Sequence, residues 1–245
     1  MLTAEGIISK LVSFIVNKSI GKIVDLPFDK RKKACRSLTK LYYCIQALDE
    51  VTDYFEISLK SLEDSGDSTP LIHALSNNSY HIELATNMFI DLGCELHDGL
   101  EIIDPTLAKC CHLLYISKFD FLSYLSNYVK IENGNGKISV IVKQPKGIIE
   151  SVDLESLYAE TKKAMKGNNE KFYWPSSALD DFRNDFEDIS ISFENDETTK
   201  QLHSMIREQN KKLKEAKEKL RVLLKDSFSI EEILFQSDSK PEYRL

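Results

Sequence analysis

A chain of 245 residues is long enough to bury a substantial core, either as one large domain or as two small ones. Its apolar content of 42% and charged content of 29% are ordinary for a globular protein, and its net charge of −7 excludes a protein that coats nucleic acid over its whole surface. The 9 glycines and 6 prolines are few, which favours long helices over a sheet-rich fold. Five cysteines without disulfide spacing or a preceding secretion signal predict reduced thiols and a cytoplasmic protein.

The first predicted element is an amphipathic helix over residues 3–22. Ser13 and several lysines interrupt its apolar runs, so it falls short of the roughly 20 apolar residues that a membrane span needs. Its apolar stripe consists of Ile8, Leu11, Val12, Ile15 and Ile20. The favoured interpretation is a helix of the core, and the alternative is a helix that lies on a membrane surface or docks to a partner.

A long second helix is predicted over residues 29–62, with Asp29 as its N-cap. Its apolar residues alternate at spacings of four and three, which is typical of a bundle helix. They are Leu41, Ile45, Leu48, Thr52, Phe55, Leu59 and Leu62. Four consecutive bases, residues 30–33, occupy its first turn, where the helix dipole disfavours cations by about 0.3–1 kcal/mol each.

The remaining pattern predicts helices over 70–76, 79–97, 105–128, 152–166, 176–187 and 195–226. An Asn-Gly turn between β-branched runs predicts a hairpin over 128–142, and the segment DISISF reads as one more strand. The fold class is therefore all-α, an antiparallel helical bundle with a small β-hairpin insertion and a long C-terminal helix. Two regions are predicted, an N-terminal helical bundle over 1–130 and a hairpin plus charged helical region over 131–245.

The basic residues of the second helix form a candidate binding surface for an anion or a partner. At 100° per residue they fall on one face, away from the apolar seam, and an aromatic residue extends the stripe. This surface consists of Lys32, Lys33, Arg36, Lys40 and Tyr43. It could hold phosphates, a nucleic-acid backbone or an acidic protein, and the acidic residues within 180–197 of the same chain are a candidate internal counterpart.

The adjacent pair His97 and Asp98 is similar to the layout of HD-family metal phosphohydrolases, which are all-helical. The resemblance implies an upstream histidine ligand, His73 or His81, and a downstream aspartate, Asp120. It covers only these few residues, so it is kept as an alternative and no catalytic or metal site is assigned.

Two other clusters offer metal-ligating residue types. A zinc site would draw on Cys94, His97, Cys110, Cys111 and His112, but the apolar helix around the later cysteines favours buried thiols. A magnesium site would draw on Asp49, Asp53 and Glu56, facing the acidic residues Glu83, Asp91 and Glu95. A solvated acidic face is the favoured interpretation of the first three, and no cofactor is predicted.

The predicted C-terminal helix has a narrow apolar seam, which suits pairing with one other helix of this chain or of another. The seam residues chosen as an association surface are Leu202, Ile206, Leu213, Leu220 and Leu223. Packing within the chain is the leading interpretation, and self-association or a partner is the alternative.

No Walker loop, nucleophile elbow or dinucleotide-binding glycine pattern is present in the sequence. The sequence therefore predicts a non-catalytic helical adaptor or regulatory subunit that acts by protein association. Microbial accessory proteins, including those of phage-defence systems, often have this character. An HD-like phosphohydrolase and a binder of nucleic acid or phosphate through the basic helix face are the alternatives.

Overall fold

The computed structural model describes residues 2–74, 96–110, 130–134, 137–145, 153–167, 186–192 and 196–234. Its helices are α1 (Leu2–Ser19), α2 (Phe28–Ser65), α3 (Leu154–Gly167), α4 (Asp196–Ser227) and α5 (Ile230–Leu234). Residues 69–74, 96–103 and 105–110 are also helical. The described chain is thus mainly α-helical, which confirms the prediction of a helical protein. Within these residues, no helix is both long enough and apolar enough to cross a bilayer.

Three strands form an antiparallel sheet in the order β1 (Lys130–Gly134), β2 (Lys137–Pro145) and β3 (Phe186–Ser192). In the first ladder Gly134 pairs with Lys137, and in the second Pro145 pairs with Phe186. The strands β1 and β2 start within the segment for which the sequence predicts a hairpin, and β3 overlaps the DISISF segment. The described part of the protein therefore joins a small sheet to a helical majority.

Helix α2 begins and ends at residues with restricted or unusual backbone conformations. Pro27 is its N-cap, with no side-chain capping bond, so the prediction that Asp29 caps the helix is wrong. Asp29 lies inside the first turn, where its charge favours the helix dipole. The helix ends at Gly66, whose φ of 70° lies in the left-handed region and whose N–H donates to the Leu62 carbonyl oxygen at 2.9 Å.

Helix α4 packs against both α1 and α2. It runs antiparallel to α2, because Glu63 near the end of α2 contacts His203 near the start of α4, whereas Asp49 contacts Lys217 further along. Apolar residues from all three helices belong to one buried cluster. These include Val12 and Ile15 of α1, Leu38, Leu41, Ile45 and Leu59 of α2, and Ile206, Leu213, Leu220 and Leu223 of α4.

The described core includes residues from both sides of the predicted boundary at residue 130, since α4 contributes to the same cluster as α1 and α2. The predicted division into an N-terminal region (1–130) and a C-terminal region (131–245) therefore stays a prediction about the order of elements along the chain. For α1, burial of Val12 and Ile15 matches the core-helix interpretation. Ile20 belongs to the predicted apolar stripe but is 62% exposed, because α1 ends at Ser19, one residue earlier.

A glycine sets the close approach of residues 96–103 to α2. A Cβ atom at Gly99 would lie 2.3 Å from Ser37 Oγ and 2.6 Å from Ser37 Cβ. Contacts this short force the backbone of one segment to move. Gly99→Ala is therefore expected to lower the free energy of unfolding in urea by about 1–3 kcal/mol.

The second substitution that tests this contact is Ser37→Gly, which removes both clashing atoms. In the Gly99→Ala background it is expected to recover part of the lost stability, with a favourable coupling in the double-mutant cycle. Purely additive effects of the two substitutions would contradict the predicted contact.

Candidate functional site

The basic face of α2, defined by Lys32, Lys33, Arg36, Lys40 and Tyr43, lies on the outer side of the helix at its start. The first three side chains are exposed, and the last two are half-buried. Among the described residues, neither Lys32 nor Lys33 takes part in an ion pair. At least two ammonium groups of the basic face are therefore accessible to a ligand or a partner.

An aromatic residue precedes these bases on the same side of the helix. Phe28 stands four residues before Lys32 and eight before Arg36, so the three share one helical face. Its ring is 71% exposed, an unusual environment for phenylalanine. The basic face thus begins with an apolar side chain that a partner could cover.

Arg31, in the middle of the basic cluster, points inward instead. Its guanidinium donates to both carboxylate oxygens of Glu232, at 2.7 and 3.2 Å, and to the carbonyl oxygen of Ser227. It also lies 5.2 Å from the centre of the Phe228 ring. One of the four consecutive bases therefore holds the start of α2 against the junction between α4 and α5. This contact partly explains why a cation occupies the end of α2 where the helix dipole disfavours it.

Glu232, the partner of Arg31, is not among the predicted site residues, although a local signal in the sequence marks it. Ser229 and Glu232 form a capping box, in which each backbone N–H donates to the other side chain, at 2.7 and 3.2 Å. The Arg31 guanidinium and the Ser229 N–H hold the pKa of the Glu232 carboxyl below its usual value. Only the fold brings this capping box to α2, because Arg31 and Glu232 are 201 positions apart in the sequence.

The acidic residues Asp49, Asp53 and Glu56 face α4, so the interpretation of a solvated acidic face is wrong. Asp49 is buried and pairs with Lys217. Asp53 accepts hydrogen bonds from Lys214 and from the Asn210 amide, both at 2.6 Å. The same amide donates to Glu56 at 2.6 Å.

These contacts make a polar layer between α2 and α4, continued by His203 and Glu63 at 2.6 Å. Burial favours the neutral form of Asp53, but the bonds from Lys214 and Asn210 outweigh it and hold the pKa of Asp53 below its usual value. Within the described residues, one buried oxygen of Asn210 has no hydrogen-bond partner. A buried asparagine between charged groups favours one helix register over others at a cost in stability.

A second buried polar cluster surrounds Asp104. Its Oδ2 atom accepts hydrogen bonds from Lys22 and from the Tyr158 hydroxyl, the latter at 2.5 Å. Its Oδ1 atom accepts the N–H groups of Thr106 and Leu107, at 2.9 and 3.4 Å, which caps the helical residues 105–110. Asp104 therefore joins three parts of the fold.

Electrostatic effects on this cluster follow from the same contacts. Burial raises the pKa of Asp104, but the bonds from Lys22 and Tyr158 outweigh it and the net pKa lies below its usual value. Burial and the neighbouring carboxylate raise the pKa of Tyr158. Lys18 lies 4.6 Å from the centre of the Tyr158 ring and pairs with Glu155 at 2.5 Å. The ammonium groups of Lys22 and Lys18 and the hydroxyl of Tyr158 are thus all paired within the fold. This pairing indicates that the cluster stabilises the fold.

His97, Asp98 and Glu101 lie on one helical turn, and their ligand atoms are within 4.8 Å of one another. His97 is half-buried and the two acids are exposed. The ligands that the HD-like layout requires beyond this pair are not assembled by the described residues: His73 is exposed, and His81 and Asp120 lie outside them. Glu101 is not among the predicted site residues, although its spacing of four from His97 places it on the same helical face.

Cys110, the one described member of the proposed zinc cluster besides His97, is a buried free thiol. Its sulfur lies 3.4 Å from the Thr161 hydroxyl, and burial raises its pKa to about 11. Cys110 is fully buried within the hydrophobic cluster, which matches the interpretation of this cysteine as a core residue. Cys94, Cys111 and His112 lie outside the described residues.

The seam of α4 is covered by this chain's own helices. Ile206, Leu213, Leu220 and Leu223 are at most 4% exposed, while nothing is described for the side chain of Leu202. The alternative in which this seam faces another chain is therefore not the arrangement observed. Half of the acidic stretch over 180–197 lies outside the described residues, and its pairing with the basic face remains a prediction.

Comparison with models of known protein families, with curated proteins and with solved structures gives no match. The class that the fold defines is a mainly helical protein in which a long C-terminal helix completes the packing of two earlier helices.

Proposed function

We propose that the chain is a non-catalytic helical interaction subunit that binds an acidic protein partner through the basic face of α2. The observation that carries the proposal is the exposure of Lys32 and Lys33 beside the exposed ring of Phe28. Aromatic residues are enriched in protein interfaces, where they supply buried area, and charged residues around them orient the partner and speed association.

The internal contacts of the other candidate surfaces support this choice. The α4 seam is packed in the core, and the acidic residues of α2 are paired with α4. Arg31 holds the first turns of α2 against α5, so the basic face stands on a fixed helix. A pre-positioned surface loses less conformational entropy when it binds.

The test compares two double variants that change the net charge equally. Lys32→Glu/Lys33→Glu reverses the basic face, and Lys60→Glu/Lys200→Glu reverses two exposed lysines elsewhere on α2 and α4. Tagged proteins are recovered from the source cells at about 0.1 M salt, where exposed charges still interact. The bound proteins are then identified and weighed by native mass spectrometry.

The proposal predicts a protein partner with the unaltered chain and with the control, and loss of that partner with the reversed basic face. Retention of the partner by Lys32→Glu/Lys33→Glu would overturn the proposed surface. Recovery of nucleic acid instead, with a steep loss at higher salt, would favour the alternative of nucleic-acid binding through the same residues.

A further inference from the structure

The geometry points to a divalent transition-metal site on the helical turn that carries His97, Asp98 and Glu101. This inference is independent of the proposed function and requires none of the other residues of the HD-like layout. Its ligands would be one imidazole nitrogen and two carboxylate oxygens, all from a single turn.

The three side chains are spaced for binding one ion. His97 and Glu101 are four residues apart and therefore lie one above the other on the helix, with Asp98 beside them. His97 Nδ1 is 3.6 Å from Asp98 Oδ1, and the ligand atoms of all three residues lie within 4.8 Å of one another. Bonds of about 2.0–2.2 Å to a common ion need ligand atoms roughly 3–4 Å apart, which small rotations of the exposed acids achieve.

The backbone of this turn is held in place from its inner side. Gly99, between the ligands, packs against Ser37 of α2, and Leu96 and Leu100 are buried in the core. The ligands occupy the opposite, outer side of the turn. Binding would therefore order side chains that stand on an already fixed helix, which lowers its entropic cost.

The donor set selects the class of metal. A neutral imidazole suits zinc, cobalt and nickel, whereas magnesium and calcium prefer oxygen ligands throughout. Two carboxylates balance the charge of a divalent ion. Three protein ligands leave the remaining coordination positions on the solvent side, open to water or to a ligand atom from a binding partner.

The test is a calorimetric titration of the full chain with Ni²⁺, after accessible thiols have been capped with iodoacetamide. We expect one ion per chain, with affinity reduced at least about tenfold in His97→Ala and in Glu101→Gln. His73→Ala is the control, because it removes an exposed histidine elsewhere in the described chain and leaves the turn intact. Circular dichroism of each variant checks that its helices are retained.

Unchanged affinity in a folded His97→Ala variant, equal loss in His73→Ala, or no binding up to about 1 mM Ni²⁺ would each overturn the site.

Discussion

Leu213→Ala is expected to lower the free energy of unfolding by about 2–5 kcal/mol. Leu213 is fully buried on α4, which packs against both α1 and α2. Removing its side chain loses transfer free energy and leaves a cavity between helices that are far apart in the chain. Urea unfolding, followed by circular dichroism at two protein concentrations, measures the change.

Val222→Ala is the matched control, since Val222 lies on the same helix and is 43% exposed. Its effect is expected to stay within about 0.5 kcal/mol. If the α4 seam faced another chain instead, Leu213→Ala would dissociate an oligomer, and the unfolding midpoint of the unaltered chain would depend on protein concentration. That dependence would contradict the internal packing of α4.

Asp104→Ala is expected to lower the free energy of unfolding by on the order of 2–4 kcal/mol. The substitution removes the cap of helical residues 105–110 and leaves the Tyr158 hydroxyl and the Lys22 ammonium without their acceptor. Asp153→Ala is a control for capping alone, because exposed Asp153 caps α3 through the N–H groups of Glu155 and Ser156. Its effect should be clearly smaller, and equal effects would show that the buried bonds of Asp104 contribute nothing.

The contribution of Asp104 should also depend on pH. Its folded-state pKa lies below the unfolded value of about 3.9, so its charged form stabilises the fold fully above that value. The stabilisation is lost as the pH falls through the lower, folded-state pKa. The stability difference between the unaltered chain and Asp104→Asn should therefore be constant from about pH 7 to 5 and shrink below about pH 4. A constant difference down to pH 2 would contradict this assignment.

Helix positions and buried faces could be predicted largely from spacing. The alternation of four and three in α2 and α4 identified residues such as Ile45 and Leu213 that the structure buries. The spacing of apolar residues does not predict which helices pack together. An apolar seam of this width can pack against a helix of the same chain or of another chain. The contacts that decide it join residues far apart in sequence, as Asp49 and Lys217 do across 168 positions.

Charged residues were the least predictable part of the candidate site. In the sequence, Arg31 is one of four similar bases, and only the fold brings Glu232 to it. Asp53 reads as a solvated acid until α4 places Lys214 and Asn210 against it. The sequence of a helix does not distinguish charged residues that face solvent from those that pair with another helix. In both cases the charged residues lie outside the most apolar stripe.

The basic face of α2 is tested most directly by lysine footprinting of the complex recovered from the source cells. An acetylating reagent labels exposed amines, and mass spectrometry reports the modified fraction at each lysine, with the purified chain alone as reference. We expect Lys32 and Lys33 to lose most of their reactivity in the complex, while Lys60 and Lys200, exposed elsewhere, keep theirs. Equal reactivity of Lys32 and Lys33 in the complex and in the isolated chain would contradict the proposal that this face binds the partner.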